Sequence, residues 1–167
     1  MNEPVNYPPI MEESITMIRA LILFSLLAMI SSTMAADNSG LISKKSPYSV
    51  SQTLDRLEAI LKKKEISVVT RWSHDQGAKK AGIPLRPTEL LIFGNPKLGS
   101  HLFSSRQTAG IDLPMKALAW QDENGQVWLS YNDPAYLAAR HQISDRSDTV
   151  SKMSAALDTL SNAAIAP

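Results

Sequence analysis

Two short runs, Met115 to Trp120 and Val127 to Tyr131, are joined across Asp122-Glu123-Asn124-Gly125. Asn-Gly between alternating apolar runs is the strongest short-range hairpin signal, because both residues tolerate the positive φ that a tight turn needs. A chain committed to this hairpin must build an antiparallel sheet. Helical stretches are interleaved with strands along the rest of the chain. The expected fold class is therefore α/β (α+β), a two-layer sandwich with helices packed on a mostly antiparallel sheet.

The remaining elements follow from periodicity. Asp37 to Lys45 reads as a polar lead-in, with Gly40-Leu41-Ile42 pairing as a short first strand. Val50, Leu54, Leu57 and Leu61 are spaced four, three and four, which places them on one helical stripe. Ser49, with Gln52 three residues on, predicts a capping box at the start of that helix. Lys62-Lys63-Lys64 suits its carboxyl end. Ile66 to Trp72 is β-branched and predicts a strand, followed by a short helix from His74 to Lys80. Leu90-Leu91-Ile92-Phe93 is continuously apolar and predicts a central strand covered on both faces. Asn132-Asp133-Pro134 opens a helix to about His141. From Ser147 to Ala164 the residues Val150, Met153, Leu157, Leu160 and Ala164 mark a final amphipathic helix, covering either the domain's own core or a second subunit.

Near the amino end, Leu21 to Ile30 is an apolar run of ten residues. A membrane-spanning helix needs about 20. Arg19 precedes the run, and Thr33 and Ala35 stand where signal peptidase reads small residues. Residues 1–35 are therefore expected to be a signal peptide cleaved before Ala36, with 1–16 an over-long start and Met17 the working one. The product would be periplasmic or secreted, with no membrane span after leader removal. Residues 36–143 form the expected α/β domain, and 144–167 the tail helix. The absence of cysteine excludes disulfides, thiolate nucleophiles and Cys-type metal sites, and suits an oxidising compartment. A formal charge of +1 argues against nucleic acid as a partner.

The stretches SPYSVSQTLDRLEAIL, SHDQGAKKAGIPLRPTELLIFGNPKLGSHL and AGIDLPMKALAWQDENGQVWLSYNDPAYLAARH together cover most of the chain between residues 41 and 143. In these motifs the chain resembles domain-of-unknown-function family 302. The resemblance implies a compact α/β fold that occurs as a homodimer, frequent export, and no agreed activity.

Candidate chemistry gathers at strand exits. In Phe93-Gly94-Asn95-Pro96 and Tyr131-Asn132-Asp133-Pro134, an Asn or Asp stands at an N-cap and proline takes the first helical position. The free N–H groups at these two helix starts, capped by Asn95 and by Asn132-Asp133, would hold a small anion, with Lys97 adjacent to the first. His74 with Asp112 forms the candidate catalytic pair, Lys116 serving as anion partner. His74, His101 and His141 lack metal-ligand spacing, His141 being expected to meet its own helix's last carbonyls. Gly-x-Ser-x-Gly, Gly-x-Gly-x-x-Gly and Walker patterns are absent, so no cofactor is expected. Trp120 and Trp128 are expected as cross-strand partners. The leading functional expectation is a non-enzymatic homodimeric module binding a small, anionic ligand or a protein partner. The alternative is a hydrolase or isomerase using His74 and Asp112. A third expectation is a structural partner that docks through the tail helix.

Overall fold

The computed structural model describes residues 39–167. The leader and its cleavage site lie outside these residues. Five strands, β1 (Leu41–Ser46), β2 (Ser67–Ser73), β3 (Thr88–Gly94), β4 (Met115–Gln121) and β5 (Val127–Asn132), form one sheet in the order β1-β5-β4-β3-β2. Every neighbouring pair is antiparallel. Among the described residues five helices accompany it: α1 (Val50–Lys63), α2 (His74–Lys80), α3 (Pro96–Ser105), α4 (Pro134–Arg140) and α5 (Ser147–Ile165). A 3-10 turn spans Gln107–Ile111. The expected α/β sandwich is the observed one.

Local chemistry sets the element ends. Ser49 accepts from the Gln52 N–H while the Gln52 side chain returns to the Ser49 N–H, which is the expected capping box. At the β4–β5 hairpin, the Asp122 carboxylate accepts from the N–H groups of Asn124 and Gln126 and from the Trp128 indole. Gly125 takes a φ of +79°, whereas Asn124 stays at negative φ. One positive-φ residue is enough here because Asp122 closes the loop with its side chain. Trp120 and Trp128 face each other across the pair with rings stacked at 6.3 Å.

The core lies on one face of the sheet. Leu54, Leu57 and Leu61 of α1 and Met153, Leu157 and Leu160 of α5 meet Leu91, Ala117, Ala119 and Leu129 from the strands, all buried. Each such leucine contributes about 1.5–3 kcal/mol of burial. The tail helix therefore covers the domain's own core. The strand β3 is interior but covered on one face only: Leu91 and Phe93 are buried, whereas Leu90 and Ile92, pointing the other way, are half-buried. That second face carries Trp72, Trp120 and Trp128. The first strand is also longer than Gly40-Leu41-Ile42, because all six residues of β1 pair with β5.

An acid limb of stability follows. The Trp128 indole N–H, with the N–H groups of Gln126 and Asn124, holds the Asp122 carboxyl below the ordinary aspartate value of 3.8. The Ser105 hydroxyl does the same for Asp145. A carboxyl depressed in the folded state stabilises it above the unfolded value and ceases to do so as pH falls through the folded one. Urea midpoints should stay level from pH 7 to about 4 and then decline. Asp122→Asn should flatten the decline; an unchanged slope would contradict this account.

Candidate functional site

Register decides which side chains can meet. Gly94 pairs with Ser67, Phe93 with Met115, and Asn132 with Leu41. Asn95, Asp112, Lys116, Asn132 and Asp133 therefore gather at one rim of the sheet. His74 does not. It follows Ser73, which pairs with Glu89 at the opposite end of β3, so the strand length of roughly 20 Å separates it from Asp112. The expected His74–Asp112 pair does not form. His74 is exposed as the first residue of α2.

Asp112 instead pairs with His141. Its carboxylate lies 2.6 Å from Nε2 of His141 and accepts from Arg140 at 3.2 Å. Nδ1 of His141 lies 3.1 Å from the Thr108 hydroxyl. Both ring nitrogens are thus engaged, and the His141 side chain is only 7% exposed. It meets Thr108 and Asp112 rather than the last carbonyls of α4. Lys116 donates to the backbone carbonyls of Asp112 and Pro114. This group clasps the 3-10 turn to the end of α4.

The helix starts are closed in a similar way. In α3 the Lys97 N–H donates to the Asn95 side chain, and those of Leu98 and Gly99 donate to the Asn95 carbonyl. Pro96 has no N–H. In α4 the Asp133 carboxylate accepts from the Ala135 N–H and its carbonyl from that of Leu137. The N–H groups of Lys97, Leu98, Gly99, Ala135 and Leu137 are thus turned to their own caps, and Asp133 places a negative charge at the start of α4. Asn132 serves in the β1–β5 pairing, and Lys97 is exposed.

Beside this rim lies a cavity of about 250 Å³. Its walls come from the ends of β2 and β3, the residues Leu113 and Pro114, the inner side of α3 and the middle of α5. Phe93, Phe103, Met115, Met153 and Leu157 are among its apolar lining residues; Ser67, Asn95 and Ser100 are the polar ones. Of the expected site residues, Asn95 alone borders it. Gly99 is among the lining residues, and a Cβ added there would meet the Phe103 ring at 3.6 Å. Its contributors span residues 66 to 160, so periodicity within any one element could not reveal it. Among the described residues no group of three or more His, Asp or Glu is placed to hold a metal ion.

The profile of the domain of unknown function DUF302 matches residues 42–160. The chain belongs to the DUF302 family. The match takes in most of α5, beyond the point near Ile143 where the motif resemblance ended. A crystal structure of an uncharacterized conserved DUF302 protein from Bacillus stearothermophilus superposes with a TM-score of 0.69 at 18% identity, covering 75% of this chain and 98% of that one. At that identity the likeness is one of fold. Two curated relatives are 49% identical over 115 residues: fluoride-specific ion channel FluC 1 of Brucella suis biovar 1 and FluC 2 of Brucella melitensis biotype 1. The match covers 69% of this DUF302 chain but 45% and 43% of theirs, so it spans less than half of their length. Their name describes the whole proteins. Among the described residues no helix is long and apolar enough to cross a membrane.

Proposed function

We propose that this DUF302 protein is an exported, homodimeric, non-enzymatic module whose ligand is a small, largely apolar molecule held between α3 and α5. The cavity carries this reading. A void of about 150 Å³ lined by aliphatic and aromatic groups takes up benzene, so 250 Å³ admits something larger than a single ring. Its few marginal polar groups, Asn95 foremost, suit orientation of a ligand rather than its chemical conversion. The anionic alternative finds most backbone donors of the helix starts turned to their own caps and a carboxylate at one of them, and a hydrolase or isomerase built on His74 and Asp112 lacks its geometry.

The test is a methyl NMR titration with indole as the apolar probe and benzoate as the anionic one. Indole should produce saturable shifts at Met153, Leu157 and Leu160, while benzoate should produce weaker ones or none. Ala156→Phe, which fills the cavity from α5, should abolish the response with the fold intact. Absence of any saturable response to indole would sink the proposal. Saturation by benzoate alone would return the anionic reading.

A further inference from the structure

None of the residues that line the cavity is ionisable. Lys97, although it follows Asn95 and Pro96 in the chain, is not among them, and α5 contributes only Met153, Ala156, Leu157 and Leu160. An ionised ligand held there would give up water and meet no opposite charge, which is costly. A neutral ligand escapes that cost. The three polar lining residues also share one place in the fold. Ser67 pairs with Gly94, the residue before Asn95. Ser100 lies one turn beyond Pro96 on the same face of α3. Ser67, Asn95 and Ser100 therefore gather where β3 passes into α3. Phe103 stands about two turns beyond Pro96, roughly 10 Å along the helix axis, and the lining there and along α5 is apolar.

Asn95 is fixed in what it can offer. Its Oδ1 accepts from the Lys97 N–H at 2.9 Å, the cap bond that opens α3. That bond settles which way round the carboxamide lies, because an NH2 group in the same place would face another donor. Nδ2 is left on the other side of the carboxamide. Among the described residues no protein group accepts from it. A hydrogen-bond donor beside an apolar cavity selects a ligand that carries an acceptor.

We infer that the ligand is an uncharged molecule with a hydrocarbon body and a carbonyl oxygen at one end, the oxygen accepting from Nδ2 of Asn95 and the body lying against Phe93 and Leu157. Asn95 is then the residue that sets specificity, at the same time as it caps α3. This rests on the apolar-cavity reading and adds to it the charge and the polar group of the ligand. The two roles of Asn95 can be separated by substitution. Aspartate and serine both serve as N-caps, so Asn95→Asp and Asn95→Ser keep the helix start while removing the carboxamide donor.

Acetophenone and ethylbenzene are the probes, because they match in shape and differ in the carbonyl oxygen. Each is titrated into the purified protein and followed by the methyl signals of Met153 and Leu157. Their unequal hydrophobicity cancels when the ratio of the two affinities is compared between wild type and variant. Asn95→Asp and Asn95→Ser should each shift that ratio toward ethylbenzene by roughly 2- to 12-fold, the range that one net hydrogen bond supplies, with the wild-type circular dichroism spectrum retained. A ratio unchanged in both folded variants would overturn the inference. Benzoate binding to the wild type more tightly than acetophenone would overturn it too, because the site would then prefer a charge. Failure of both acetophenone and ethylbenzene to bind the wild type would overturn the cavity reading itself.

Discussion

A chain ending at Ile143 is expected not to fold. The deletion removes α5 and with it Met153, Leu157 and Leu160, which are 6%, 4% and 4% exposed. Burial of three such side chains is worth roughly 5–9 kcal/mol, comparable with the entire stability of about 5–15 kcal/mol of an ordinary domain. Polar anchors go too. Arg56 donates to the carbonyls of Ala164 and Ala166, Tyr48 donates to that of Ala166, and Lys44 pairs with Asp158 at 2.6 Å. The measurement is a circular dichroism spectrum and urea titration of the truncated chain. A cooperative transition near the wild-type midpoint would mean that α5 is an appendage. The Leu157→Ala variant gives a graded version: it should cost about 2–5 kcal/mol and enlarge the cavity.

The second large effect is expected at the clasp. Asp112→Ala removes the partner of a nearly buried histidine and frees Arg140. Hydrogen bonds to a charged group contribute about 1.5–3 kcal/mol, so the loss should be near 2–3 kcal/mol, with the melting temperature falling by roughly 5–10 °C. Asp112→Asn keeps one acceptor and should lose less. Neither variant should change indole binding, because the clasp lies outside the cavity. Loss of binding with unaltered stability would show that Asp112 belongs to the ligand site rather than to the scaffold.

The contrast between His74 and His141 shows how far the sequence could be read. The capping box at Ser49, the hairpin at Asn124-Gly125 and the stripe from Val150 to Ala164 are local patterns, and each corresponds to an observed element. The strand order is not local. Both histidines adjoin plausible strand or helix ends, and choosing between them requires knowing that β2 and β4 meet β3 from opposite sides in antiparallel register. That register places the end of β2 far from the start of β4. The two N-caps were legible as caps, yet whether a cap leaves donors over depends on side-chain rotamers that spacing does not specify. The cavity was illegible for a third reason: its lining comes from strands, loops and helices between residues 66 and 160, whereas apolar periodicity reports only that each helix has a buried side.

The most direct test is a crystal held under xenon pressure. The account requires a xenon peak against Phe93, Met115, Leu157 and Phe103, because an apolar pocket binds this atom without any polar group to assist. An empty density map, with Phe103 and Met153 folded inward to fill the space, would contradict it.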